Sequence, residues 1–128
     1  MPWRFLFDPY QPRLRKVLKD YEELALRHFW DEKAEDAGSK DVWNYVSEKM
    51  GEGRTISKAS VIQFLKAMGK EGVLESRRVR GRGGYHFKYT ANMDENRFTR
   101  NIARTIIDSL MRDFPQETLE ALREIIST

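Results

Sequence analysis

Residues 75–90 read ESRRVRGRGGYHFKYT and decide the fold of the region around them. Four arginines precede or enter a cluster of three glycines, and aromatic residues follow at positions 85, 87 and 89, alternating with His86 and Lys88. Side chains that alternate with a period of two around a glycine turn are typical of a β-hairpin. The stretch therefore predicts two short antiparallel strands joined at residues 81–84.

Two amphipathic helices are predicted toward the N-terminal end of the chain. After Pro12, apolar residues recur at three- and four-residue spacing as far as Trp30, which indicates one long or once-broken helix. Ser39 is the expected N-cap of a second helix, and Gly51 is its expected end. His28 falls on the apolar side of the first helix and is interpreted as a residue at the edge of the core.

A third helix separates these two from the hairpin. Ser57 is its expected N-cap and Gly72 its expected end, while Gly69 inside it is a mild weakness because glycine lowers helix propensity. Three helices and a hairpin, with a tight turn between the second and third helices, have the order of a winged helix-turn-helix. The aromatic residues of the second hairpin strand are expected to pack on the helices; they are Tyr85, Phe87 and Tyr89.

The C-terminal third of the chain returns to a helical pattern. One helix is predicted over residues 94–114 and a shorter one from Pro115 onward. Their apolar surface exceeds what the small winged domain can easily cover, so a symmetric dimer interface is the favoured interpretation and a monomeric core the alternative. The residues expected in that interface are Phe98, Ile102, Ile106, Leu110, Phe114, Leu119, Leu122 and Ile126.

The expected fold class is mainly α with a small β-hairpin, a winged helix-turn-helix domain followed by a helical region. Residues 1–12 are interpreted as an N-terminal extension whose aromatic side chains pack on the dimer or on the wing. Residues 13–91 are interpreted as the DNA-binding domain, and residues 92–128 as the C-terminal helical dimerisation region.

Positive charge is concentrated in the middle of the chain. Residues 54–88 contain 9 Lys/Arg against 2 Asp/Glu, a net charge of +7, whereas residues 1–53 (9 against 11) and 89–128 (5 against 7) each carry −2. A basic block between acidic flanks is typical of a surface that binds a polyanion. The third helix and the hairpin lie in this block and are therefore the expected binding surface.

Composition excludes several classes of function. The chain has no cysteine and only 2 histidines, on separate predicted elements, so no thiol catalysis and no metal site are expected. It lacks a nucleophile–base pair, so no catalytic residue, cofactor or enzyme activity is expected. The glycine cluster lacks the GxxxxGK[ST] spacing of a phosphate-binding loop. No apolar run approaches the roughly 18 residues of a membrane span and no signal peptide is found, so a cytoplasmic protein is expected.

Double-stranded DNA is the favoured partner. Solvent-facing residues in the first turns of the third helix are expected to contact bases and phosphates, and Gln63 is the most base-specific because glutamine can bond bidentately to adenine. In the wing, Arg78, Arg80 and Arg82 are expected to share a face toward phosphates or the minor groove, with Arg77 pointing the other way. The expected contacts are Ser57, Lys58, Ser60, Gln63, Lys66, Arg78, Arg80 and Arg82, with His86 and Lys88 completing the patch.

Across residues 20–126 the chain resembles the penicillinase-repressor family of winged helix-turn-helix transcriptional regulators. The resemblance is carried by YEELALRHFWD, SKDVWNYVSEKM and TISKASVIQFLKAMGKEGVL in this order, followed by the RGRGGYHFKYT wing. It implies a homodimeric repressor in which each winged helix reads half of an inverted-repeat operator and the C-terminal helices form the dimer.

Some properties of that family have no counterpart in this sequence. No motif marks a C-terminal site for the protease step that releases its best-known members from DNA, and the C-terminal cysteines of copper-responsive relatives are absent. The regulatory effector or protease is therefore unassigned. The alternative functions are a winged helix that binds RNA and one that binds another protein, both without operator specificity.

Overall fold

A computed structural model of the chain describes residues 3–128. The described chain forms two compact units that divide between Asp94 and Glu95. Five α-helices and a three-stranded antiparallel sheet are found among the described residues, which confirms the expected fold class. The elements are a 3₁₀ turn Arg13–Lys16, α1 Asp20–Trp30, β1 Ala37–Gly38, α2 Ser39–Met50, α3 Lys58–Lys70, β2 Leu74–Gly81, β3 Gly84–Ala91, α4 Glu95–Asp113 and α5 Pro115–Ser127.

The first predicted helix is broken once. A 3₁₀ turn ends before Val17, and α1 begins after Lys19, whose backbone is extended with ψ 163°. The carboxylate of Glu22 accepts a hydrogen bond from the Lys19 backbone N–H at 2.8 Å, so it satisfies a donor at the start of α1. The α1 side that faces the core includes Leu26 and Phe29, which are almost fully buried.

The second helix begins one residue earlier than predicted. Gly38, and not Ser39, is the N-cap of α2, and its backbone N–H donates to Oδ2 of Asp41 at 3.1 Å. The expectation was wrong because Ala37 and Gly38 pair with β3 as the short strand β1, so the chain turns from strand to helix at the glycine. The predicted end at Gly51 is confirmed, with φ 82° at that residue.

The third helix has the predicted N-cap. The Ser57 hydroxyl accepts a hydrogen bond from the Ser60 backbone N–H at 3.1 Å. The turn before it is held by Trp43 of α2, whose indole N–H donates to the Ile56 carbonyl at 2.9 Å. The inward side of α3 closes the core between α1, α2 and the sheet, and its buried residues are Val61, Phe64, Leu65 and Met68.

The inner end of the hairpin is buried, and its outer end is exposed. Gly83, in the two-residue turn between β2 and β3, has φ 80°, a conformation that glycine adopts without strain. Tyr89 pairs with Ala37 of β1 and is buried as expected, whereas Tyr85 and Phe87 are 59% and 41% exposed. The packing expectation was wrong for those two because the helices leave the outer half of the hairpin largely uncovered.

The C-terminal unit consists of α4 and α5, which contact each other. The predicted helix over residues 94–114 and the predicted start at Pro115 are both confirmed within one residue. Proline suits the first helical position because that position needs no N–H donor. No described helix is long and apolar enough to cross a membrane.

The N-terminal segment of the chain packs against the rest of the first compact unit. Residues 1–2 of the expected N-terminal extension lie outside the described part. The Trp3 backbone N–H donates to Oε1 of Glu71 at 3.2 Å, at the end of α3, and the Trp3 and Phe5 rings lie 5.3 Å apart. The extension therefore reaches the junction between α3 and β2, whereas Leu6 and Tyr10 are 89% and 95% exposed.

Candidate nucleic-acid interface

The outward face of α3 is defined by the residues opposite its buried side. Gln63 and Lys66 are exposed on this face, as expected for residues that contact a ligand outside the helix. Lys70, one turn beyond Lys66, is exposed on the same side and was not among the predicted contacts. The four-residue spacing from Lys66 was the sequence signal that could have identified it.

The first turn of α3 holds two predicted contacts whose hydroxyls already have partners. The Ser57 hydroxyl caps the helix and lies 2.8 Å from the Ser60 hydroxyl. Each hydroxyl oxygen has a second lone pair, so both can still accept or relay a hydrogen bond from a ligand. The first N–H groups of a helix lack partners within the helix, so the start of α3 is also suited to an anion.

Lys58, the remaining predicted contact on α3, is held near the preceding helix. Its ammonium lies 5.1 Å from the centroid of the Trp43 ring, a cation–π distance. The same indole supports the turn before α3. Lys58 is therefore placed at the edge of the α3 outward face, where a flexible ammonium can reach a phosphate.

Two of the cations in the basic segment are paired with carboxylates. Arg54 pairs with Asp20 at the start of α1, and Arg77 pairs with Asp36. Within residues 3–128 the other cations of the segment make no ion pair. The unpaired positive charge of this segment is carried by Lys58, Lys66, Lys70, Arg78, Arg80, Arg82 and Lys88.

The hairpin presents two different faces. Arg78 lies directly opposite Phe87, and Arg80 lies opposite Tyr85. Directly opposite residues of an antiparallel pair share a face, so Arg78 and Arg80 lie on the aromatic face of the hairpin. Arg82 lies in the turn, where strand alternation no longer applies, so it is at the tip and not on that face.

The other hairpin face carries the two remaining predicted contacts. His86 lies opposite Val79, and Lys88 lies opposite Arg77. The expectation that His86 and Lys88 complete one patch with Arg78 and Arg80 was therefore wrong. Strand alternation alone does not show which residues of one strand share a face with those of the other, because that depends on the pairing register.

Arg78 is positioned by an aromatic residue that was expected to pack on the helices. Its guanidinium carbon lies 4.3 Å from the centroid of the Tyr85 ring. Stacking on a ring holds an arginine in an extended conformation while its N–H groups stay free at the edges. Tyr85 therefore holds Arg78 in a position where its N–H groups are available to a ligand.

The base of the hairpin is fastened by Asp36. Its carboxylate accepts hydrogen bonds from the Arg77 guanidinium at 2.5 and 3.2 Å, and its backbone N–H donates to the Thr90 hydroxyl at 3.0 Å. The hydrogen bond from Arg77 lowers the pKa of the Asp36 carboxyl. Asp36 thus joins β2 and β3 to the segment before β1, and it neutralises the one arginine on the His86 and Lys88 face.

The Asp36–Arg77 pair should make stability depend on pH. Since the pKa of Asp36 is lowered by folding, the pair stabilises fully above the ordinary value of 3.8 and less as the pH falls through the folded value. We expect Asp36→Asn to lower the thermal midpoint by about 1–2 °C near neutral pH, a small effect because the pair is exposed. The difference from the parent chain should vanish in acid, so melting curves that differ equally at all pH values would contradict it.

Each of the two histidines has a local structural explanation. The His86 Nε2 lies 3.3 Å from the Arg82 carbonyl, and a Cβ on Gly81 would approach the ring to 2.7 Å, so His86 is folded against the turn. The His28 ring lies 4.5 Å from the Tyr45 ring, and burial lowers the pKa of His28. Its Nδ1 is buried with no hydrogen-bond partner among the described residues, which fits the predicted place at the core edge.

The predicted dimer residues differ in how much surface they offer. Phe98 is 2% exposed, so it is already covered in a single chain and can add almost nothing to an interface. That part of the expectation was wrong because Phe98 itself is buried while its neighbours on α4 are not, a difference that apolar spacing does not show. The remaining seven are partly or largely exposed: Ile102, Ile106, Leu110, Phe114, Leu119, Leu122 and Ile126. Ile125 is 68% exposed and was not among them.

Metal-ligand chemistry is not evident in the described part of the chain. Among residues 3–128, no three histidine, aspartate or glutamate side chains come together in a group that could hold a metal ion. The interface assembled above is therefore built from cations, aromatic rings and helix donors.

Comparison of the sequence with known protein families gives one match. The family model described as penicillinase repressor matches residues 18–126, which is most of the sequence. No match is found among curated proteins or among solved structures.

Proposed function

Because this chain belongs to the penicillinase-repressor family, which implies a DNA-binding transcriptional repressor, we propose that it binds an inverted-repeat operator as a homodimer. The observation that supports this most directly is the position of the unpaired cations on α3 and the hairpin. Lys66 and Lys70 share the exposed side of α3 with Gln63, and the exposed arginines Arg78, Arg80 and Arg82 lie on the hairpin of the same unit. A repressor acts on DNA in the cytoplasm, which is where we place it.

We assign base recognition to α3. A helix of this kind enters the major groove, where its outward side chains reach base edges. Gln63 lies near the middle of that face, and its amide can donate to and accept from one adenine at the same time. Lys66 and Lys70 lie one and two turns farther along and suit phosphates on the groove edge.

We assign backbone contacts to the aromatic face and the tip of the hairpin. Arg78, held on Tyr85, and Arg80 project from one face, while Arg82 lies at the turn. Arginine suits both a phosphate and a narrow minor groove, where the negative potential is enhanced. The hairpin would therefore add affinity and orientation, while the choice of sequence rests mainly with α3.

The dimer proposal rests on α4 and α5. Leu119, Leu122 and Ile126 are spaced by three and four residues, so they lie on one side of α5, and Leu119 and Ile126 are 40% and 82% exposed. An exposed apolar stripe of this kind is suited to a two-fold interface, because each copy offers the same surface. Two winged domains related by a two-fold axis would contact half-sites about one helical turn apart, or a multiple of that distance.

Selection of bound sequences from random duplexes tests the proposal. Recovery of a palindromic site would support specific recognition by a symmetric dimer. Failure to enrich any sequence would contradict operator binding and favour the alternatives, a winged helix that binds RNA or another protein. A labelled structured RNA of equal length separates these two alternatives. Only a winged helix that binds RNA would bind it, and one that binds another protein would not.

Gln63→Ala should change which operators are bound more than how strongly DNA is bound. The loss of one bidentate contact to a base corresponds to about 1–3 kcal/mol of discrimination, or roughly 5- to 150-fold between matched and mismatched sites. The measurement compares affinities for the selected operator and for versions changed at single base pairs. Lys66→Ala is the contrast, since a lost phosphate contact should weaken binding to all duplexes alike. Unchanged discrimination in Gln63→Ala would contradict the assignment.

A further inference from the structure

An open groove lies between the C-terminal half of α3 and the aromatic face of the hairpin. Its volume is about 360 Å³, which is within the range of small-molecule sites. The groove belongs entirely to the first compact unit. It is lined by Lys66, Gly69 and Lys70 of α3 and by Ser76, Phe87 and Tyr89 of the hairpin.

Gly69 keeps this groove open. A Cβ at this position would lie 3.7 Å from Tyr89 Cε1 and 3.9 Å from Ser76, which are ordinary van der Waals distances. The backbone of Gly69 is helical, so neither sterics nor conformation requires glycine there. Glycine inside a helix is unfavourable. The consequence of having it here is that position 69 places no side chain in the space between α3 and the hairpin.

The hairpin side of the groove is aromatic and neutral. Phe87 is 41% exposed although it is a large apolar side chain, and the buried Tyr89 forms the inner end. Burial raises the pKa of Tyr89, so its phenol stays uncharged at neutral pH. A flat apolar molecule placed against Phe87 would cover surface that water now contacts, which favours binding.

The charged side of the groove carries two cations and no anion among its lining residues. Lys66 and Lys70 are exposed and lie one helical turn apart, so their ammonium groups project from the same side of α3. Within the described part of the chain, neither has an ion-pair partner. Two adjacent ammonium groups suit a single carboxylate, and the Ser76 hydroxyl offers a further hydrogen bond.

We propose that this groove binds a small aromatic carboxylate, with the ring against Phe87 and the carboxylate at Lys66 and Lys70. The combination of aromatic walls, a cationic edge and a glycine that leaves the space empty selects this chemical class. A neutral ring would lose the two ammonium contacts, and a small inorganic anion would lose the aromatic wall.

Occupation of the groove should weaken binding to the operator. This consequence rests on the proposed function, because it requires Lys66 and Lys70 to contact phosphates when DNA is bound. The two ligands would then compete for the same ammonium groups, and the effect of each on the affinity of the other must be equal. Such a carboxylate would act as an inducer.

The experiment titrates 2-naphthoate, and its neutral analogue 2-naphthamide, into the full chain by calorimetry. Two substitutions at one position form a matched pair, since Gly69→Ala leaves the groove open and Gly69→Met fills it. We expect the parent chain and Gly69→Ala to bind naphthoate with similar affinity, and Gly69→Met to bind it at least about tenfold more weakly. Naphthamide should bind to the parent chain at least about fivefold more weakly than naphthoate does. Thermal melts show whether each variant is folded.

The site proposal is overturned by any of three results. These are the absence of naphthoate binding to the parent chain, equal binding by Gly69→Ala and Gly69→Met, and equal affinity for naphthoate and naphthamide. Equal binding by the two glycine variants would place the ligand elsewhere, for example on the exposed apolar residues of α5. The double variant Lys66→Gln/Lys70→Gln leaves the backbone unchanged and should remove the preference for naphthoate over naphthamide.

Operator binding is measured separately, with and without saturating naphthoate. We expect naphthoate to weaken operator binding by the parent chain and to have little effect on Gly69→Met. If naphthoate binds but operator affinity is unchanged, the inducer role is refuted while the site stands. If no operator is bound even without naphthoate, the proposed function fails, and the calorimetric result for the groove is unaffected.

Discussion

The double variant Leu119→Glu/Ile126→Glu is expected to be monomeric and to bind a palindromic duplex about a hundredfold more weakly than the parent chain. Both side chains lie on one side of α5 and are exposed in the single chain, so the substitutions should not unfold it. At an interface, however, each copy would bury two unpaired carboxylates, which strongly opposes association. A monomer loses the second half-site and, with it, the effective concentration that a dimer provides.

Light scattering measures the mass, and titration of operator and half-site duplexes measures the two affinities. The matched control is Ala121→Glu/Thr128→Glu, which adds the same charge away from the apolar stripe, at Ala121 on the opposite side of α5 and at its C-cap Thr128, and should remain dimeric. The affinity of a single half-site should be similar in all three proteins. If the parent chain itself scatters as a monomer at micromolar concentration, the dimer proposal is wrong.

The second large effect is expected at the wing, where Arg80→Ala/Arg82→Ala should weaken binding to every duplex by about 10- to 100-fold at moderate salt. Neither arginine has an ion-pair partner within residues 3–128, so both charges are available to phosphates. Each phosphate contact contributes about 0.9 to the slope of log affinity against log salt, so the slope should fall by nearly 2. The relative order of operators should be unchanged.

Fluorescence anisotropy at several salt concentrations gives both the affinity and the slope. Arg104→Ala/Arg112→Ala removes the same charge from α4, where the two arginines lie near Asp108 and Asp113, and serves as the control. It should change binding only slightly. Equal affinity and equal slope in the parent chain and the wing variant would refute the wing assignment.

Much of the fold was predictable because its signals are local. The Ser57 cap, the stop at Gly51, the proline at the start of α5 and the glycine turn of the hairpin depend on residues a few positions apart. The same is true of the outward face of α3, since helical periodicity places Gln63 and Lys66 opposite the buried side. These residues are the part of the candidate interface that sequence reasoning could reach.

The remaining features of the site depend on which residues come to face each other, and some of these pairs are far apart in the chain. The pairing register places Arg78 and Arg80 with the aromatic rings and places His86 and Lys88 on the other side. Asp36 meets Arg77 across 41 positions. The groove beside Gly69 exists because the hairpin passes close to α3, which helical periodicity alone cannot show.

Element order, most helix ends and the location of the basic segment follow from the sequence, because hydrogen bonding within turns and helices is a short-range property of the chain. The composition of each hairpin face follows from the pairing register, whereas the burial of Phe98 and the exposure of Tyr85 and Phe87 follow from tertiary packing. They depend on which segments pair and on how far the helices cover the hairpin. The burial of these side chains is established only when the whole chain folds, since it depends on the surroundings of a residue and not on the residue itself.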